Sequence, residues 1–179
     1  MKYLIRSFYF LFVVLFVASC QEEEYEDVAF SARYLADMQI NSDSSLVPVF
    51  NPEGYFIDSV SIDPASSEHF SEYMNQINKI EIMEFMGVIT EMNAATSITD
   101  AVLQISSGGE SVSWPLKNLK LYEGKSLKFT SHNGEWAEVA NILNTKKLCK
   151  IVFSGTTNAD NISFTMQFRL DADITADPR

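Results

Sequence analysis

Residues 162–175 read Ile-Ser-Phe-Thr-Met-Gln-Phe-Arg-Leu-Asp-Ala-Asp-Ile-Thr. Ile162, Phe164, Met166, Phe168, Leu170, Ala172 and Ile174 alternate without a break with Ser163, Thr165, Gln167, Arg169, Asp171, Asp173 and Thr175. A period of two over this length predicts a long strand with one apolar and one wet face. One wet face predicts antiparallel pairing, because parallel strands are apolar on both sides. Leu148–Ser154 predicts a strand just before it, and Gly155–Asn161 is rich in turn residues. The two strands are expected to form a hairpin.

Working outward, further strands are expected at Val28–Tyr34, Tyr55–Ile62, Lys79–Thr90, Ala101–Ser106, Ser111–Trp114 and Leu127–Thr130. Ser107-Gly108-Gly109-Glu110 predicts a tight turn between two of them. Asn41–Gly54, with Ser, Asp, Asn and two prolines, reads as an irregular loop. Two helices interrupt the strands. Phe70, Tyr73, Met74 and Ile77 share one helical face, with Asp63-Pro64 as the expected start. Trp136, Val139, Ala140 and Leu143 repeat the spacing, with Asn133 as expected cap and Lys146-Lys147 suited to the negative end. The expected fold is a mainly β, antiparallel β-sandwich of about eight strands with two marginal helices. The alternative is an α+β single antiparallel sheet with both helices on one face.

The first 27 residues carry the address. Met1–Arg6 is basic, Phe8–Val17 is apolar, and Ala18-Ser19-Cys20 closes the run. This is the pattern of a secretory leader, and it is too short to span a bilayer. Val17-Ala18-Ser19-Cys20 resembles the lipobox of bacterial lipoproteins, in which the cysteine receives the lipid. The resemblance implies acyl chains on Cys20 as the membrane attachment; more than one chain is needed for lasting attachment. Gln21 follows Cys20, where an Asp would imply retention at the inner membrane. Glu22, Glu23, Glu24, Glu26 and Asp27 form an acidic cluster similar to the export tag of bacteroidete-type surface lipoproteins. A plain solvated acidic tether is the competing reading. The resulting division is leader 1–19, lipidated cysteine and tether 20–27, and a single β-rich domain 28–179. The implied location is the outer membrane, at the cell surface, with its periplasmic face as the alternative.

The 179 residues carry 13 basic and 24 acidic side chains, for a net charge of −11. Loss of Lys2 and Arg6 with the leader brings this to −13. So acidic a chain argues against nucleic-acid binding, which needs Lys and Arg against phosphates. With Cys20 lipidated, Cys149 has no disulfide partner and reads as a buried small hydrophobe.

No residue pattern predicts catalysis. His69 and His132 lack a neighbouring nucleophile elbow. Zinc-ligand spacing is absent, and Asp171, Asp173, Asp177, Asn158, Asp160 and Asn161 lack the order of a calcium loop. No metal, cofactor or catalytic residue is therefore expected. Trp114, Tyr122 and Tyr55 are the candidate ligand-binding aromatics, each weighed against simple packing. Trp136, on a helical stripe, is expected in the core. The expected function is a non-catalytic binding or assembly module with a protein or glycan partner at the cell surface. A carbohydrate-binding accessory for glycan uptake is the alternative, and an envelope hydrolase stands third.

Overall fold

The computed structural model describes residues 26–42, 54–159 and 161–178. Eight strands form two four-stranded antiparallel sheets. They are β1 (Val28–Asn41), β2 (Gly54–Ile62), β3 (Ile77–Met92), β4 (Thr96–Ser107), β5 (Glu110–Leu121), β6 (Ser126–Lys128), β7 (Cys149–Thr157) and β8 (Ser163–Ala176). One sheet has the order β1-β8-β3-β6, the other β2-β7-β4-β5. The sandwich expected from the alternating strands is the fold of the chain.

β8 is paired along its length, with β1 from Asn41↔Ser163 to Val28↔Ala176 and with β3 on its other side. Its apolar set, Phe164 to Ile174, is buried. From the second sheet Phe56 on β2 meets Phe164 of β8. Phe85, Trp114, Phe129 and Phe168 form one aromatic cluster joining the sheets. Phe56, Phe153 and Phe164 form another. Rings at these separations add to the area they bury.

The hairpin expected of β7 and β8 does not form. β7 lies between β2 and β4, while β8 lies between β1 and β3 in the other sheet. The turn-rich segment between them crosses from sheet to sheet, held by Asn158 N–H to Ser97 O and Ser42 N–H to Ile162 O. Turn chemistry bends the chain but does not choose the sheet; two long partners for β8 decide that. The turn at Gly108-Gly109 is as expected. Ser107 pairs with Glu110, and both glycines have positive φ, 61° and 97°, as a two-residue turn of this hand requires.

Several strands outrun their expected limits. β1 continues to Asn41 because Ala36, Met38 and Ile40 keep the buried alternation. β4 begins at Thr96, and an irregularity between Ile98 and Asp100 breaks the alternation ahead of Ala101. β5 runs through Pro115 to Leu121, which an edge strand tolerates because its outer N–H groups need no partner. Of the loop expected at 41–54, residues 43–53 lie outside the described residues and Gly54 opens β2.

Asp63 caps a short 3-10 turn, Pro64–Ser66, rather than the helix itself. Ser67 caps α1 (Glu68–Tyr73), whose Phe70 is fully buried. Ile77, expected on that helix, begins β3 instead. α2 (Glu135–Asn144) lies against β3 of one sheet and β5 of the other. It closes the side of the sandwich that β6, paired only from Met86 to Val88, leaves open. Asn133 is not its side-chain cap. Gly134 occupies the cap position with φ 92°. The Glu135 carboxylate turns back to accept from the N–H groups of Asn133 and His132, each at 2.7 Å. These bonds, that of Asn133 foremost, draw the Glu135 carboxyl down to about 2. No basic residue lies in the last turn, and Lys146 follows it with φ 60°.

Candidate functional site

The three candidate aromatics separate. Trp114 is 7% exposed and points into the core, its Nε1–H donating to Thr130 O at 2.9 Å. The strand expected to stop at Trp114 continues through Pro115 as an edge strand, and Trp114 keeps its inward phase, which bears out packing over ligand binding for this ring. Trp136 is partly buried against the core as expected, donating from Nε1 to Phe129 O at 2.9 Å. The two indoles thus tie down consecutive carbonyls in the link from β6 to α2.

Tyr122 is 52% exposed, just beyond the end of β5, with Lys125 Nζ 5.9 Å from its ring centre. Tyr55 is half-buried on the outer face of β2. It borders a shallow cleft of about 330 Å³ with Val102, Pro115, Ser154 and Thr156. The floor of that cleft is Gly155. A Cβ there would meet Asp100 O at 2.6 Å, so β7 and β4 approach each other only without a side chain.

The cleft belongs to the outer face of the sheet β2-β7-β4-β5. Its outward positions form four cross-strand rows: Tyr55–Thr156–Asp100–Lys117, Ile57–Ser154–Val102–Pro115, Ser59–Val152–Gln104–Ser113 and Ser61–Lys150–Ser106–Ser111. Thirteen of these sixteen side chains are uncharged at neutral pH. Ile57 and Val102 are 56% and 42% exposed at the centre of the face. Lys117 pairs with Asp100 at 3.8 Å. This property was missed in the sequence because no single strand displays it; the signal was Ser or Thr, rather than Lys or Glu, at the wet positions of β2, β5 and β7.

The acids and amides weighed as calcium ligands are, where described, engaged with other groups. Asp171 takes the Arg33 guanidinium at 2.7 Å, Asp173 accepts from Ser31, and Asp177 accepts from Asn78. Asn158 accepts from Thr96 and Ser97, and Asp160 lies outside the described residues. Among the described residues no group of three or more His, Cys, Asp or Glu could hold a metal ion. His69 is exposed beside Glu72 and Phe30, and His132 bonds Thr130 Oγ1. Cys149 is buried, and its thiol is pushed up to about 11, by burial first and Asp63 second. It is a packed thiol rather than a nucleophile. Cys20, Gln21, Glu22, Glu23 and Glu24 lie outside the described residues; Glu26 and Asp27 are exposed and lead into β1. Among the described residues no helix is long and apolar enough to cross a membrane.

Fold and surface together define a two-sheet antiparallel β-sandwich with one charged and one neutral outer face. No family model and no curated protein matches the chain. Among solved structures, a chain from Desmodium yellow mottle tymovirus is 10% identical, with 90% of this chain and 97% of that chain covered and a TM-score of 0.32. A likeness of that degree says nothing about function.

Proposed function

We propose that this chain is a lipid-anchored outer-membrane lipoprotein whose sandwich is displayed at the cell surface as a non-catalytic binding or assembly module. The observation that carries the reading is Val17-Ala18-Ser19-Cys20 at the end of a short apolar leader. The position of β1 supports it. Residues 21–27 are the whole tether between Cys20 and Val28, and the 14-residue β1 then runs away from the anchored end. At about 3.3 Å per residue that is roughly 45 Å. In this reading the end bearing Asn41, Ser97 and Tyr122 is the membrane-distal pole, offered to partners. The glycan-uptake alternative keeps Tyr55 and Tyr122 but loses Trp114, its largest ring, to the core.

Two measurements on cells expressing the chain test the reading. Metabolic labelling with an alkynyl palmitate should mark the wild type and not Cys20→Ala. Protease added to intact cells should remove the sandwich. Protection until lysis would overturn surface display, and absence of label would overturn the anchor.

A further inference from the structure

We infer that the outer face of β2-β7-β4-β5 joins two copies of this chain in a two-fold dimer. The first argument is charge. A molecule of net charge −11, or −13 without its leader, repels its own copy over most approaches. The opposite sheet carries Arg33, Asp37, Lys79, Glu81, Glu84, Glu91, Lys128, Arg169, Asp171 and Asp173 on its outer side, with six acids against four bases. The face of β2-β7-β4-β5 instead carries only Asp100, Lys117 and Lys150 in its four rows, with Lys120 just beyond them opposite Ser97. With one carboxylate per copy it is the sheet face on which two acidic molecules oppose the fewest carboxylates, and Lys117, Lys120 and Lys150 stand at its margins, where salt screens them.

The second argument is chemistry. Ile57, Val102, Val152 and Pro115 form an apolar centre. Ser59, Ser61, Ser111, Ser113 and Thr156 surround it with short hydroxyls that lose little rotamer freedom on burial. That is an apolar core with a polar rim, and the lysines lie at its margins. A two-fold pairing suits it because a self-complementary patch needs no second surface.

The third argument is size. Four strands about 4.8 Å apart and about nine residues long at about 3.3 Å each make a patch roughly 20 by 30 Å. That is on the order of 600 Å² per copy, at the lower end of what specific interfaces bury. Confinement to a membrane through Cys20 would raise the population of a dimer held by a patch of this size.

Edge-to-edge association is the competing geometry, and the strands resist it. β5 carries Pro115 and a left-handed Asn118 with φ 52°. β2 carries Asp58, whose carboxylate takes the Asn41 N–H at 3.2 Å, across to the neighbouring edge β1. Proline, irregularity and an edge carboxylate all blunt strand addition.

The inference deepens the assembly-module reading but stands on surface geometry, so loss of palmitate labelling leaves its test intact. Full-length protein in mild detergent, examined by sedimentation at micromolar concentration, should have the protein mass of two chains. Ile57→Lys with Val102→Lys should reduce it to one, while Leu35→Lys on the opposite sheet should leave two. Because a double lysine variant can misfold, unfolding curves of each variant accompany the masses, and Ser154→Cys supplies an independent readout. Near the centre of a two-fold face it should form an interchain disulfide under mild oxidation, whereas Gln167→Cys on β8 should not. A one-chain mass for the wild type would overturn the dimer and leave the face to a different partner or a glycan. A two-chain mass unchanged by the lysines, with Ser154→Cys uncrosslinked, would overturn the choice of face.

Discussion

The two sheets share one core and differ on the outside. On β1-β8-β3-β6 the outward charged side chains are tied to each other, across strands from Arg33 to Asp171, Arg169 to Glu84 and Lys128 to Glu84, and along one strand from Arg169 to Asp171 and from Lys79 to Glu81. Gln167 donates to Asp37, and Ser31 to Asp173. Such a face has its polar partners already and gains little from a visitor. On β2-β7-β4-β5 the same pleat carries serine, threonine, valine and isoleucine, with one ion pair. Alternation decides which side chains are wet, but their chemistry decides whether the wet face is finished. That difference is why assembly is assigned to one sheet.

The largest expected effect falls on what the sheets have in common. Phe85, on β3, touches Trp114 of the other sheet as well as Phe129 and Phe168. Phe85→Ala should cost about 3–5 kcal/mol, read from the urea midpoint, because a buried ring leaves a cavity that a sandwich closes poorly. Both sheets should still unfold in one transition. A variant in which one sheet melted first would break the picture of a shared core.

A glycine on each sheet sharpens the comparison. At Gly155 on β7 an added Cβ meets backbone, Asp100 O at 2.6 Å and Ala101 Cα at 2.9 Å. At Gly87 on β3 it meets Met166 Sδ at 2.7 Å, the far part of a flexible side chain. Gly155→Ala should therefore cost about 1–3 kcal/mol as an overpacked site. Gly87→Ala should cost less, since methionine re-forms around an intruder. Equal losses in denaturant unfolding would count against this account of the close approach of β7 and β4.

How much was legible in the chain follows from what kind of signal each feature has. β8 was legible because its alternation is local. So was the Gly108-Gly109 turn, where two positive φ values need residues that adopt them. The partner of β8 was not, because Gly155–Asn161 looks the same whether it returns a strand to its own sheet or sends it to the next. For Trp114 packing and ligand binding stayed open, because the Pro115 that follows it ends a central strand but not an edge one, and edge status exists only after pairing. The neutral face was invisible for the same reason: Ile57, Ser154, Val102 and Pro115 come from four strands and meet only in register.

Charge removal separates the two exteriors more gently. Arg169 is the hub between Glu84 and Asp171, with its side chain 36% exposed. Arg169→Gln should cost about 1 kcal/mol at low salt, the upper part of the range for exposed pairs. The loss should shrink as salt screens the remaining carboxylates. Lys117→Gln, removing the exposed pair with Asp100, should change stability by about 0.5 kcal/mol or less. A salt-independent loss at Arg169 would mean that the side chain acts through packing of its stem rather than through charge.

The smallest effect at neutral pH is expected at Glu135, at the start of the helix that bridges the two sheets. Its carboxyl is held at about 2 against an ordinary 4.5, chiefly by the Asn133 N–H, with its own N–H and that of His132 adding to it. The ionised form is thus favoured by folding. A depressed carboxyl contributes stability that is fully present above the unfolded value and is lost as pH falls from about 4.5 through about 2. Glu135→Gln keeps an oxygen acceptor but no charge, so it should lower stability slightly at neutral pH and flatten the acid limb. The difference between wild type and variant should close below about pH 2, where both side chains are neutral. Because the helix touches β3 and β5 together, that loss should appear equally in probes of either sheet. Loosening confined to one sheet would show that the helix closes the sandwich from one side only.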